Sequence, residues 1–138
     1  MAEEEIVVLD TSLVIKWFSE EEYTEQALKI RSRHVDNRIS VFVPDLLVYE
    51  LSNALRYNPD YDVDDVKKAV STVFDMEFEI VTPSESLIES SVEIAHENDL
   101  TVYDSTYLAL SKALRTEVIT ADDELSEHPD AVHIADVD

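Results

Sequence analysis

Short apolar runs alternate with stretches of helical spacing along the whole chain. Ile6 to Leu9 is β-branched and apolar and stops at Asp10, the pattern of a strand buried on both faces. Ile39 to Val43, Phe78 to Val81, Val118 to Thr120 and Val132 to Ile134 repeat it. Between these runs, apolar residues recur at helical intervals over Leu13 to Phe18, Glu21 to Val35, Leu46 to Tyr57, Val63 to Met76, Ser86 to Ala95 and Thr106 to Leu114. Strands alternating with helices predict an α/β domain on a mostly parallel central sheet. No repeat or low-complexity linker interrupts the alternation, and 138 residues suit one ordinary domain, so residues 1–138 read as a single domain.

The chain contains no glycine, which removes the usual occupant of the left-handed position at a helix end. Asn37, Asn58 and Asn98 fall where helical patterns stop, and asparagine is the next best residue there. Asn58, Pro59 and Asp60 form a turn signal between two helices, not a domain linker.

Acidic residues stand at four places where such a fold concentrates chemistry. In open parallel sheets, sites form outside the carboxyl ends of the strands, near the point where strand order reverses. Asp10 and Asp122 follow predicted strands and belong there. Glu50 lies four residues after Leu46 and four before Ala54, in an apolar helical stripe, where a carboxylate requires a cation, a donor or a cavity. Asn53, three residues on, is placed to support it. Asp104 opens the helix of VYDSTYLALS. Each acid also has a plainer reading. Asp10 and Asp104 suit helix N-caps, with Thr11, Ser12, Ser105 and Thr106 as rivals, Glu50 can reach the helix edge, and Asp122 or Asp123 can cap the segment ending near Leu125. Jointly the plain readings weaken, because like charges gathered at one sheet edge raise one another's pKa and cost stability unless a cation joins them.

Composition narrows the cation. There is no cysteine, and His34, His96, His128 and His133 show no paired ligand spacing, which argues against zinc and excludes thiolate chemistry and disulfides. Oxygen-only ligands select hard ions such as Mg²⁺ or Mn²⁺, and such ions activate water against phosphate esters. Asp and Glu number 32 against 10 Lys and Arg, a formal net charge of −22, yet 45% of residues are hydrophobic, so the acid covers a packed domain. A salt-adapted cytoplasm is the simplest setting, since molar salt shortens the Debye length to about 3 Å and removes most of the self-repulsion. No leader-like run and no stretch near the roughly 20 apolar residues of a membrane span occurs. With so few basic residues, nucleic-acid binding starts at a disadvantage. Trp17, Tyr103 and Tyr107, at helical spacing, read as core aromatics, and the runs Glu20 to Glu22 and Asp60 to Asp65 as solvated faces.

VVLDTSLVIKWF, PDLLVYELSNAL, YDSTYLALS and VITADDEL, in this order and over nearly the whole chain, resemble the four motifs of PIN domains, most closely the VapC-type toxin ribonucleases. The resemblance implies a three-layer α/β/α fold and a metal-binding quartet of Asp10, Glu50, Asp104 and Asp122. It prefers Asp122 to Asp123, which it leaves as a neighbour, and sets Thr11, Thr120 and Asn53 around the site. It further implies a Mg²⁺- or Mn²⁺-dependent endoribonuclease acting on RNA, commonly a homodimer, and inhibited by an antitoxin that docks near the acids. Asp99 stands where a glycine-like turn is expected. Lys16, Arg31, Arg33 and Arg56 are the cations available to offset the acidic surface. The competing reading is a PIN-like module that binds a protein partner with weak or no catalysis. A phosphotransfer receiver lacks its lysine after the last strand, and an aspartyl phosphatase lacks its second Asp, since Ser12 stands two residues after Asp10.

Overall fold

The computed structural model describes residues 5–137. Five strands, β1 (Glu5–Leu9), β2 (Ile39–Pro44), β3 (Glu79–Val81), β4 (Val118–Thr120) and β5 (Ala131–His133), form one sheet in the order β3-β2-β1-β4-β5, and every neighbouring pair is parallel. β4 coincides with its apolar run, and β1, β2 and β3 match theirs to within one residue at one end; β5 is shifted one residue earlier than Val132 to Ile134, and Ile134 instead starts a 3-10 turn.

The helices are α1 (Thr11–Val14), continued by a 3-10 turn, α2 (Thr24–Val35), α3 (Leu46–Arg56), α4 (Val63–Asp75), α5 (Glu85–Asn98) and α6 (Val102–Leu114). Right-handed crossovers decide which side each takes. From β1 the chain moves outward through β2 to β3, so α1 to α4 lie on one face. It then returns through α5 and α6 to β4, on the other side of β1, so this pair covers the opposite face, with α6 lying across β1, β2 and β4. The result is a three-layer α/β/α fold. Its core joins Val8, Leu9 and Val41 of the sheet to Leu47, Leu51 and Leu55 of α3 and Leu108 of α6, all essentially excluded from solvent. The strand order reverses between β1 and β4.

Helix ends carry the consequences of a chain without glycine. Asn37 takes the left-handed conformation after α2, as expected, but Asn58 and Asn98 do not. Asn98 is the last residue of α5, with its Nδ2 donating to the Ile94 carbonyl, and Asp99 after it becomes left-handed at φ 53°. Asn58 uses Oδ1 to accept from the Asp60 amide and shape the turn. Glu77 and Arg115 close α4 and α6 with φ of 58° and 57°. Residues with a Cβ pay about 1 kcal/mol or more in this region, so the caps are held by packing and by hydrogen bonds to the preceding turns.

The acid covers the outer faces. Asp64, Glu85, Glu89, Glu93 and Glu97 are exposed on α4 and α5, while Lys16 is buried and pairs with Glu21 at 3.2 Å. Lys16 is therefore spent inside the fold and does not offset the surface. Arg31 and Arg56 are exposed, and Arg56 lies over the Tyr57 ring. Because repulsion among exposed carboxylates is screened by ions, the melting temperature should rise steadily from dilute buffer to molar KCl, measured by circular dichroism. A flat or falling series would show that surface repulsion does not limit this fold.

Candidate functional site

Asp10 leaves β1 at the strand-order reversal, and its backbone is extended because it caps α1. Its side chain is 5% exposed and fully engaged. Oδ1 accepts from Ser12 Oγ at 2.8 Å and the Leu13 amide at 3.3 Å, and Oδ2 accepts from Thr120 Oγ1 at 2.6 Å. The capping role and a place in the site thus coexist. Burial pushes the carboxyl up to about 6, the three hydrogen bonds pull it back, and the charge of Asp122 adds a further upward push.

Two hydroxyls tie the exit of β1 to the exit of β4. Thr120, the last residue of β4, is fully buried; its Oγ1 donates to Asp10 and accepts from the Asp122 amide at 3.0 Å. Ser12 Oγ accepts from the Ala121 amide at 2.9 Å and stands 3.2 Å from Thr120 Oγ1. Asp122 then caps the following 3-10 turn, Oδ1 accepting from Glu124 N at 2.8 Å and Leu125 N at 3.0 Å. Asp123 turns elsewhere: its Oδ1 is 3.2 Å from His133 Nε2, an ion-pair approach that misses hydrogen-bond alignment.

Glu50 is half-buried on α3, in the row Leu46, Glu50, Ala54 that flanks the fully buried Leu47, Leu51 and Leu55. Its Oε1 accepts from Thr11 Oγ1 at 2.9 Å and from the Tyr107 phenol at 2.6 Å. Asn53, one turn further, is exposed and makes no side-chain hydrogen bond among the described residues. Asp104 corrects one expectation: Thr101, not Asp104, caps α6, accepting from the Asp104 amide at 3.0 Å, and the helix begins at Val102 instead of Thr106. Asp104 lies in the first turn, where the helix N-terminus favours an anion. Burial, then the charges of Asp122 and Glu50, raise its carboxyl above the usual range.

The four acids therefore feel one another. Asp122 acts on both Asp10 and Asp104, and Glu50 acts on Asp104. As they stand, no three carboxylate or imidazole side chains among the described residues converge tightly enough to ligate one ion directly. Mg²⁺ does not demand such a cage, since it usually keeps several waters and takes one or two carboxylates together with substrate phosphate. An oxygen-only set with two carboxyls raised by burial and by like charge fits that mode of binding.

Helical spacing alone makes Tyr107 a core aromatic. It is core, at 2% exposure, but its hydroxyl lands on Glu50; a buried tyrosine needs some partner for its OH, and the sequence does not say which. Ser12, a rival cap by its position in the sequence, is instead a link between the two strand ends. Tyr103, by contrast, is 64% exposed and not core. With Tyr49, Ile88 and Val102 it lines an exposed apolar groove of about 330 Å³, and Tyr49 and Tyr103 immediately precede Glu50 and Asp104.

No described helix is long and apolar enough to cross a membrane. No curated protein matches the sequence significantly. Among solved structures, a protein of Pyrobaculum aerophilum superposes with a TM-score of 0.70 at 20% identity, over 96% of this chain and 85% of that one. A toxin–antitoxin complex from Klebsiella pneumoniae gives 0.72 at 20% identity, over 95% and 99%. VapC20 of Mycobacterium tuberculosis, a toxin that cleaves the sarcin-ricin loop, gives 0.71 at 13% identity, over 88% and 93%. At these identities the likeness is one of fold. The sequence itself matches the PIN domain over residues 7–131, from the middle of β1 to the start of β5, and this stretch contains all four acids, so the chain belongs to the PIN domain family.

Proposed function

We propose that the chain is a Mg²⁺- or Mn²⁺-dependent endoribonuclease of the toxin–antitoxin type, acting in a salt-adapted cytoplasm as a homodimer and restrained by a small antitoxin protein. The observation that carries this reading is the gathering of Asp10, Glu50, Asp104 and Asp122 at the carboxyl edge of a parallel sheet, where β1 and β4 part company. Family membership and fold neighbours that include a toxin–antitoxin complex and a toxin that cleaves the sarcin-ricin loop support it.

Asp10, Glu50, Asp104 and Asp122 would hold the cation. When bound, it supplies charge neutralisation at a phosphoryl oxygen and lowers the pKa of a water. The protein's own work is orientation. Ser12, Thr120 and the Leu13 amide fix Asp10 in one rotamer, and Thr11 and Tyr107 fix one oxygen of Glu50, so the carboxylates are ordered before substrate arrives. Hydrolysis adds water to phosphorus and breaks one phosphorus–oxygen ester bond of the RNA backbone.

The groove of Tyr49, Ile88, Val102 and Tyr103 favours a second reading, a PIN-like module whose affinity for a protein matters more than its catalysis. Incubation with mixed RNA and Mn²⁺ in molar KCl separates the two. The nuclease reading expects cleavage that Asp104→Asn abolishes while the melting curve is retained. Cleavage surviving in Asp104→Asn would refute the assigned site. A basic partner that copurifies with a protein cleaving no class of RNA once separated would favour the module.

A further inference from the structure

We propose that Tyr107 is a positioning residue for Glu50, committing Oε1 of the carboxylate to the protein and leaving Oε2 as the atom available to a cation. Three contacts define the arrangement. Tyr107 OH donates to Glu50 Oε1 at 2.6 Å, Thr11 Oγ1 donates to the same oxygen at 2.9 Å, and the two hydroxyls are 2.9 Å apart. Two hydroxyl protons serve three contacts, and both are best used on the carboxylate, because a hydrogen bond to a charged acceptor is about twice as strong as a neutral one. Oε1 is the shared acceptor that holds the hydroxyls together, and its lone pairs are directed into the protein.

The three side chains come from α1, α3 and α6, at sequence separations of 39, 57 and 96, so the knot fixes how these helices meet. Tyr107 lies one turn beyond Asp104 on α6, so anchoring its hydroxyl on Glu50 also sets the approach of the two acids across the α3–α6 boundary. Left free, a glutamate gives up considerable rotamer freedom when it ligates an ion; this one has already given it up. Burial and the Glu50 charge both push the phenol further up, which keeps it a proton donor throughout the working range. Residues that orient a ligand typically change metal affinity about 10–100-fold when removed.

The inference rests on the metal-dependent reading, and calorimetric Mn²⁺ titration in molar KCl distinguishes failure of one from failure of the other. Tyr107→Phe deletes one oxygen and keeps the ring in the core, and it should weaken Mn²⁺ binding about tenfold with RNA cleavage recovering as Mn²⁺ is raised. Thr11→Val, which removes the other donor to the same oxygen, should behave alike and provides a second variant should Tyr107→Phe fold poorly. In a Glu50→Gln background, Tyr107→Phe should change Mn²⁺ affinity no further, a result that a general packing defect would not give. Unchanged affinity in Tyr107→Phe, or an equal loss with and without the Glu50 carboxylate, overturns the inference alone. Absence of saturable binding in the unsubstituted protein overturns the metal-dependent reading and the inference with it.

Discussion

Asp10→Asn should abolish RNA cleavage and, in the same preparation, make the metal-free protein harder to melt at neutral pH. The two effects have one origin. Asp10 is an almost fully buried carboxylate whose pKa is raised from 3.8 to about 6, first by desolvation and last by Asp122, with its hydrogen bonds opposing. A rise of about 2 units, at about 1.4 kcal/mol per unit, means that keeping Asp10 ionised in the folded protein costs about 3 kcal/mol. Asparagine removes the charge but keeps one oxygen, so it forfeits one of the bonds from Ser12, Leu13 or Thr120, worth about 1–2 kcal/mol. The balance of about 1–2 kcal/mol corresponds to a melting temperature higher by a few degrees in EDTA. Activity moves the opposite way. On the proposed metal-dependent reading, removing the Asp10 carboxylate from a cation that supplies several kcal/mol of transition-state charge stabilisation predicts a fall of roughly three orders of magnitude. Mn²⁺ at about 100 times its dissociation constant should add about 2.7 kcal/mol to the unsubstituted protein and little to Asp10→Asn, so the two melting curves should converge or cross when metal is added. Calorimetric scans with and without Mn²⁺ read this directly. A variant that melts lower in EDTA and gains as much from Mn²⁺ would show that Asp10 serves as a helix cap and nothing more.

Much of the fold, and the placing of the candidate acids within it, is legible in the sequence, and the physical reason is locality. A buried parallel strand reads as a continuous apolar run, so β1, β2 and β4 announce themselves, and an acid just after such a run is conspicuous. Glu50 is legible because a carboxylate in a helical row between Leu46 and Ala54 is out of place. What stays hidden depends on contacts distant in sequence. Nothing near Tyr107 says that its hydroxyl meets Glu50, 57 residues earlier, and nothing near Ser12 says that it receives the Ala121 amide, 109 residues later. Sequence pattern misplaces the start of α6 because three hydroxyl or carboxyl residues near Asp104 all suit a cap, and the one used, Thr101, lies before the apolar pattern begins. The left-handed residues Glu77 and Arg115 run against propensity and are set by packing, which a chain without glycine cannot avoid at its helix ends.

Thr120→Val should shift the pH dependence of Mn²⁺ binding upward by about one to two units in a protein that still folds. On the proposed metal-dependent reading, metal and proton compete for Asp10 in the unsubstituted protein, so at limiting Mn²⁺ the affinity should drop about tenfold per pH unit below about pH 6. The sign for folding follows from the same group. A carboxyl raised in the folded state contributes its stabilisation fully below 3.8, and this is lost as pH rises through about 6, so the metal-free protein should be more stable at about pH 5 than at about pH 8 as far as Asp10 decides it. The hydroxyl of Thr120, donating at 2.6 Å to Oδ2, is the strongest of the bonds opposing that rise. Valine has nearly the same shape and keeps the β-branched fit at the end of β4, but it provides no donor. A hydrogen bond to a charged group is worth about 1.5–3 kcal/mol, and losing it from the ionised form raises the pKa by about one to two units. The Asp122 amide loses its acceptor in the same change, loosening the turn that carries Asp122. Calorimetric Mn²⁺ titrations from about pH 5 to about pH 8 would show the shifted midpoint. Coincident pH profiles for the two proteins would mean that protonation of Asp10 does not govern metal binding, and the place of Asp10 at the centre of the site would have to be given up.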